Sequence, residues 1–271
     1  MGFVVEFVNP VLLSFGSLKL YTYGFFMALA FIVTHKLVEI EFARLKVSIE
    51  STNVLIAAIV GGIVGAKIHY VLTWNVDALF DINTGLSFQG GLIGGALLVC
   101  LYTKYAGEAV HKVCDAAGPL IPLGHAIGKL GCFFAGDGCY GNPTSVWWGM
   151  SFPNGLLPTR KFVHPAPLYE FTTSMSLFIY FWTRRQSRLP FDNFTRVVAG
   201  MCFSRILVEL WRDHNVVIPL GFLGGINQFQ LLALLAGCVA LLIRNFILKP
   251  FMWKMQPVVA KNLAKKHPKQ Q

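Results

Sequence analysis

The stretch NVLIAAIVGGIVGAKIHYVLT, residues 53–73, decides the fold class, because it is apolar throughout and carries one formal charge, Lys67. A run of about 20 apolar residues is the length that an α-helix needs to cross the hydrocarbon core of a bilayer. Six further stretches have a similar character: residues 21–38, 88–105, 115–135, 164–183, 196–212 and 222–243. We therefore predict an all-α fold, a polytopic bundle of seven transmembrane helices.

The composition supports a membrane protein. The chain has 271 residues, of which 55% are hydrophobic and 13% are charged, about half of the roughly 25% charged residues in an ordinary soluble domain. A soluble two-domain protein and a disordered chain are excluded. The net charge of +10 does not indicate nucleic-acid binding, because membrane proteins concentrate Lys and Arg in cytoplasmic loops.

The six cysteines predict no metal site. They form no CxxC pair and are accompanied by no histidine cluster, so we expect neither a zinc site nor another cofactor. Cys132 and Cys139 alone are near enough in sequence to raise the question of a disulfide or a metal, and the disulfide stays open at this point.

The distribution of Lys and Arg over the connections predicts the orientation. Of the 23 basic residues, 16 fall in one alternating set of loops that includes the C-terminal tail, and 3 lie within spans. The opposite set holds 4: Lys19, Arg160, Lys161 and Arg212. The positive-inside rule then places the N-terminus outside and the C-terminus in the cytoplasm. We expect a transmembrane domain at 1–243, with a long irregular outer connection at about 136–163, and a basic cytoplasmic tail at 244–271.

Small residues spaced four apart predict close helix packing inside the bundle, since they let backbones approach where lipid supplies no hydrophobic drive. The pairs are Gly61 with Gly65, Gly90 with Gly94, Gly91 with Gly95, and Gly124 with Gly128. In the span that holds the last pair, His125, Lys129 and Cys132 share one helical face, because they are spaced i, i+4 and i+7.

Three cations lie within the predicted spans: Lys67, Lys129 and Arg205. A charge at the centre of a span costs about 2.5–3.5 kcal/mol, so each needs a partner or a function. Arg205 and Glu209 are four residues apart and can pair within one helix. Three cations in one small bundle predict a site for an anion, and phosphate is the anion that a bilayer offers. An enzyme and a transporter of an anionic lipid or solute both fit, although no inverted repeat indicates a transporter.

Two motifs carry a resemblance to a known family: GKLGCFFAGDGCYG at 128–141 and HPAPLYE at 164–170. With them the sequence resembles prolipoprotein diacylglyceryl transferase. Further elements follow in that family's order: Tyr23-Gly24, GAKIHYV around Lys67, SFQGGLIGG at 87–95, RILVE at 205–209 and GGINQFQLL at 224–232.

The resemblance implies an activity and a location. A diacylglyceryl group would pass from phosphatidylglycerol to the lipobox cysteine thiol in the signal peptide of a prolipoprotein. The products would be a thioether and glycerol phosphate. The protein would lie in the bacterial inner membrane as a multi-pass enzyme that needs no cofactor and binds no nucleic acid.

The resemblance also implies the site residues. Four are expected to be catalytic: Arg205, Glu209, Lys129 and Gln89. Arg205 would bind the phosphate and Glu209 would orient it. Nine are expected to bind substrate: Tyr23, Lys67, Gly90, Gly91, Cys132, Asp137, His164, Tyr169 and Glu170.

Four positions depart from the family pattern. Lys129 stands for an Arg, Cys132 for an Asn and Asp137 for a Glu, while Gln89 stands for the His of an HGGLIG segment. Glutamine cannot act as a base at neutral pH, so Gln89 would only hydrogen-bond the lipid headgroup. Other residues could then take the thiol proton: His69, His125 or Glu209. A divergent member that binds phospholipid but has altered or lost the acceptor chemistry is the alternative.

Overall fold

The structure is a computed structural model that describes residues 2–16, 18–73, 85, 87–186, 189–212, 216–219, 225–248 and 250. Its α-helices are α1 (Thr22–Leu45), α2 (Ser51–Thr73), α3 (Phe88–Tyr105), α4 (Val110–Ala117), α5 (Ile121–Ala135), α6 (Ala166–Thr183), α7 (Asp192–Glu209) and α8 (Gln228–Leu242). Every predicted span overlaps at least one helix, so the mainly helical class is confirmed, although the predicted span 222–243 begins in residues outside the described ranges and in strand Gly225–Asn227. A 3₁₀ turn, Gly118–Leu120, divides the predicted fourth span between α4 and α5. Most of the predicted basic tail, residues 251–271, lies outside the described residues.

Short strands accompany the helices: β1 (Phe3–Val4), β2 (Val11–Phe15), β3 (Leu18–Tyr21), β4 (Met150–Phe152), β5 (Thr159–Val163), β6 (Val216–Pro219) and β7 (Gly225–Asn227). Strand β4 pairs with β1 in parallel and with β5 in antiparallel orientation, while β2–β3 and β6–β7 form hairpins. The connection predicted as irregular at 136–163 therefore contains two short strands, and its outer location stays a prediction. Val163, Phe152 and the N-terminal Val5 share one apolar core, and burying these side chains favours extended pairing over a free loop.

Within the described ranges, α2 is the helix both long and apolar enough to cross a membrane, and Ala233–Phe246 is a shorter apolar helical segment. Helices α2, α3 and α8 expose large apolar side chains that a soluble surface rarely gathers in such numbers. They include Ile56, Ile63, Leu72, Leu92, Leu97, Leu235 and Val239.

The chain divides into two compact units, His35–Ala117 and the pair of segments Met1–Thr34 and Gly118–Gln271. In the first, α2 and α3 pack backbone to backbone. A Cβ added to Gly65 would collide with the Gly90 carbonyl and would lie 2.7 Å from the Gly94 Cα. The predicted close approach of these glycines is therefore confirmed.

In the second unit, α6 packs against both α5 and α7, and α7 packs against α8. The glycine face of α5 receives the first part of α1: a Cβ on Gly131 would lie 2.8 Å from the Phe26 Cβ, and one on Gly128 would lie 3.6 Å from the Met27 sulfur. This packing directs the polar side chains of α5, α6 and α7 toward one another.

Candidate functional site

Glu170 on α6 is the centre of a cluster of cations. Its carboxylate forms an ion pair with the Lys129 ammonium on α5. Arg205 Nη1 on α7 lies 2.9 Å from Glu170 Oε1, and Arg212 Nη1, just beyond α7, lies 3.1 Å from the same oxygen. His125 Nε2 lies 3.9 Å from the other carboxylate oxygen. Side chains from α5, α6 and the α7 region thus meet at one carboxylate.

Two polar contacts one turn along α6 fix the register of these helices. The Ser174 hydroxyl lies 2.8 Å from His125 Nδ1, which joins α6 to α5. The Ser204 hydroxyl donates to the Thr173 hydroxyl at 2.8 Å, which joins α7 to α6. Burial of polar side chains between apolar helices is favourable when they hydrogen-bond to each other. These two contacts hold Glu170 at the height of its cationic partners.

The pair predicted within α7 is confirmed. Arg205 Nη2 lies 2.8 Å from Glu209 Oε2, as expected for residues four apart on a helix. The Arg205 guanidinium therefore bridges two carboxylates, Glu170 through Nη1 and Glu209 through Nη2. Because a guanidinium is planar and rigid, two fixed acceptors also fix the direction of its plane.

Among the residues that the structure describes, the cluster carries more positive than negative charge. Lys129, Arg205 and Arg212 contribute three cations, whereas Glu170 and Glu209 contribute two carboxylates. The carboxylates are buried, with side chains 3% and 0% exposed, while Lys129 and Arg205 keep 16% and 30% of theirs exposed. Buried acids that hold partly exposed bases can form a preorganised receptor for an anion.

A groove of about 370 Å³ lies between α6 and α7, and it is lined by chain neighbours of the cluster residues rather than by the charged side chains themselves. Its lining is largely apolar: Trp148, Tyr169, Thr172, Thr173, Leu207, Val208 and Trp211. At its end the Trp148 indole N–H donates to the Tyr169 hydroxyl at 2.7 Å, and His164 Nδ1 lies 3.0 Å from that hydroxyl. The predicted residues His164 and Tyr169 therefore lie together, next to Glu170 in the chain.

Tyr23, Cys132 and Asp137 lie at the end of α5 that follows Lys129. The Tyr23 ring faces Gly131, whose added Cβ would lie 3.5 Å from it. Cys132 is buried at 6% exposure, and Asp137 is half-buried just after the helix. Cys132 and Cys139 are both free thiols, so the disulfide that the sequence left open is not formed.

The remaining predicted residues belong to the α2–α3 pair. Gly90 and Gly91 pack against α2, where a Cβ on Gly90 would collide with the Gly65 carbonyl and the His69 Cβ. The Gln89 side chain is exposed and accepts a hydrogen bond from the Ser87 hydroxyl at 3.1 Å. Lys67 is half-buried on α2. Helix packing accounts for the two glycines, and the substrate roles of all four residues stay predictions.

Arg212 is a cluster member that the sequence reasoning did not select. A signal for it exists, because residues 205, 209 and 212 repeat the i, i+4 and i+7 spacing of His125, Lys129 and Cys132. Such a spacing puts three side chains on one face of a continuing helix. The central position of Glu170 had no comparable signal, because its partners come from other helices.

Comparisons with known proteins identify the family of this chain. The family model described as prolipoprotein diacylglyceryl transferase matches residues 10–245. A phosphatidylglycerol–prolipoprotein diacylglyceryl transferase of Clostridium tetani is 29% identical over 88% of this chain and 97% of its own length. A protein of the same name from Leptospira interrogans is 32% identical over 73% of this chain and 73% of its own length. Another, from Vibrio vulnificus, is 32% identical over 83% of this chain and 86% of its own length. The chain therefore belongs to the prolipoprotein diacylglyceryl transferase family.

Proposed function

We propose that this protein transfers a diacylglyceryl group from phosphatidylglycerol to the lipobox cysteine thiol of a prolipoprotein. The observation that carries the proposal is the excess of cations around Glu170, next to an apolar groove. A phospholipid presents the same combination, an anionic phosphate joined to apolar chains. The family relationship supplies the reaction class, since the relatives are named for this transfer.

The phosphate is bound by the partly exposed cations. Arg205 is held by two carboxylates, so it meets the phosphate without first losing side-chain freedom, and Lys129 and Arg212 add charge on either side. An acyl chain lies in the groove lined by Tyr169, Leu207 and their neighbours. The lipid is then oriented with its glyceryl carbon toward the acceptor thiol.

The reaction is a displacement at carbon. The sulfur electron pair of the thiolate forms a C–S bond to the glyceryl carbon that carries the phosphate. The C–O bond to the phosphate breaks, and its electron pair leaves with glycerol phosphate. Negative charge grows on the departing phosphate oxygen in the transition state, and preorganised cations in a poorly hydrated site stabilise that charge most strongly.

We also propose that the chain crosses the bacterial inner membrane seven times, with its N-terminus outside. The apolar side chains exposed on α2, α3 and α8 support lipid-facing surfaces on helices beyond α2. The division of Lys and Arg between the two sets of loops supports the orientation. With this topology the connection between α5 and α6 faces outward, where secreted prolipoproteins emerge.

A reconstituted transfer assay tests the function. Purified protein in phosphatidylglycerol vesicles is given a lipobox peptide, and mass spectrometry looks for a diacylglyceryl thioether on its cysteine. The expected adduct disappears when the peptide cysteine is replaced by serine. Retention of phosphatidylglycerol with no adduct on any cysteine peptide would refute the transfer and would indicate a lipid-binding member of the family.

A further inference from the structure

Three metal-ligating side chains meet at the C-terminal end of α5. The sulfur atoms of Cys132 and Cys139 and a carboxylate oxygen of Asp137 all lie within 4.8 Å of one another. The two thiols interact with each other, and Cys139 interacts with the Asp137 carboxylate. The sequence predicted no metal site because it lacks a CxxC pair, but a folded chain can gather ligands at other spacings.

Two left-handed glycines build this cluster. Helix α5 ends at Ala135, and Gly136 follows with φ 60° and donates its N–H to the Cys132 carbonyl at 3.0 Å. Gly138 has φ 84°, and Asp137 Oδ1 accepts the Cys139 N–H at 3.0 Å. Side chains with a Cβ rarely adopt such φ values. The turn therefore brings Cys139 back over Cys132 before any ion is bound.

The donor set suits zinc. Two thiolates and one carboxylate are ligands that Zn²⁺ accepts, and three protein ligands leave the fourth tetrahedral position open, as in catalytic zinc sites. With Zn–S bonds of about 2.3 Å, tetrahedral sulfur atoms lie about 3.8 Å apart. The observed separations of up to 4.8 Å reach this geometry through small side-chain rotations.

The cluster lies one helical turn from the proposed phosphate site. Cys132 follows Lys129 by three residues, a rise of about 4.5 Å along the helix. Lys129 contacts Glu170 and interacts electrostatically with both thiols. A Zn²⁺ ion with two thiolates and one carboxylate carries a net charge of −1, which the nearby ammonium offsets. A ligand at the open position would therefore lie beside the cations that bind the phosphate.

We propose that Cys132, Asp137 and Cys139 bind Zn²⁺, and that the open fourth position takes the acceptor cysteine of the prolipoprotein. This inference rests on the proposed transferase function. Zinc binding displaces the protons of Cys132 and Cys139, and the incoming thiol loses its proton to solvent as it coordinates, since a metal-bound thiol is deprotonated outright. This route to a thiolate requires no histidine at position 89.

The transfer step then requires no further base. The electron pair of the bound thiolate forms the C–S bond, and the C–O pair leaves with glycerol phosphate. The product thioether carries no charge and is a weaker ligand than the thiolate, so it leaves the metal. The next acceptor thiol then takes the open position.

Metal binding is measured first, on the full chain in detergent with its thiols reduced. Zn²⁺ is titrated against a competing chromophoric chelator, and Co²⁺ serves as a probe because thiolate ligands give it intense near-ultraviolet absorption. We expect one ion per chain and thiolate-to-cobalt absorption. Cys139→Ser, in the half-buried loop, should weaken binding by more than the roughly 10–100-fold that loss of an outer-shell partner costs.

Cys202→Ser is the matched control, because Cys202 is a half-buried thiol on α7 and belongs to no metal cluster among the described residues. It should bind Zn²⁺ as the unmodified protein does. Failure of the reduced, unmodified protein to bind Zn²⁺ would overturn the inference, whatever its transfer activity. Equal binding by Cys139→Ser would overturn it too, because the ion would then be held elsewhere.

The role of the open position is tested by transfer with metal-free and zinc-loaded protein. Zinc should restore transfer to the stripped protein but not to Cys139→Ser. Equal rates with and without zinc would overturn thiol delivery and leave the transferase function standing. Zinc bound through these thiols with no adduct under any condition would uphold the metal site, refute the transferase function and with it overturn thiol delivery.

Discussion

Replacing Glu170 with Gln removes the charge that holds the cationic cluster together while leaving the side-chain volume almost unchanged. The carboxylate is 3% exposed and lies 2.9 Å from Arg205 Nη1, a separation worth about 6 kcal/mol of gross Coulomb attraction at an effective dielectric constant of about 20. Desolvation cancels part of this attraction. Removing one partner of a buried ion pair costs about 3–5 kcal/mol, because the cations around it are left without their counter-charge. We expect Glu170→Gln to lower the free energy of unfolding by that amount.

The measurement is an equilibrium unfolding titration with sodium dodecyl sulfate in mixed micelles, followed by circular dichroism. Glu50→Gln is the matched control, because Glu50 is an exposed carboxylate at the start of α2 and its loss should change stability by less than about 0.5 kcal/mol. Glu170→Asp keeps the charge, so its loss of unfolding free energy should lie between those of Glu170→Gln and Glu50→Gln. A loss below about 1 kcal/mol for Glu170→Gln would equal that of an exposed pair and would refute a central role for this carboxylate.

Three further outcomes are expected. Gly65→Ala should destabilise the α2–α3 pair by about 1–3 kcal/mol in the same titration, whereas Gly62→Ala, whose Cβ would meet no atom closer than 3.7 Å, should not; equal effects would refute the close approach. Hydrogen bonds from the Ser48 and Ala109 N–H groups lower the pKa of Glu108 from 4.5 to about 2, so its stabilising contribution is complete above pH 4.5 and lost as the pH falls toward 2. Thermal unfolding of Glu108→Gln, measured over this pH range, should lack this loss of stability in acid. If the variant lost stability in acid as the unmodified protein does, the role of these hydrogen bonds would be contradicted. Gln89→His should change the transfer rate far less than the roughly 10²–10⁴-fold that a general base contributes, since bound zinc supplies the thiolate. A rise of the rate by roughly 10²–10⁴-fold in the vesicle assay would show instead that the unmodified protein lacks a base at this position.

Local patterns in the sequence predicted the helices and the contacts inside them. The 53–73 span is α2, and the Arg205–Glu209 pair forms at 2.8 Å, because a helix fixes which side chains four residues apart can meet. The glycines of α2 and α3 also lie where their spacing predicted. In each case the pattern that carries the prediction lies within a single helix.

Contacts between distant parts of the chain could not be predicted in this way. Glu170 was expected to bind substrate, yet it also holds Lys129, Arg205 and Arg212. The strands within 136–163 depend on pairing with β1, more than 140 residues earlier. The meeting of Cys132 with Cys139 depends on two left-handed glycines, whose backbone conformation no hydrophobic pattern specifies.

The central claim is that the cations held by Glu170 and Glu209 bind and stabilise the departing phosphate. The most direct measurement is single-turnover transfer by Arg205→Ala, compared with Arg160→Ala, which removes an exposed cation on β5. Folding of both variants is checked first by circular dichroism. Arg205→Ala should lose transfer by about 10²–10³-fold, as loss of one transition-state donor does, while Arg160→Ala keeps the unmodified rate. Transfer by folded Arg205→Ala at the unmodified rate would contradict the claim.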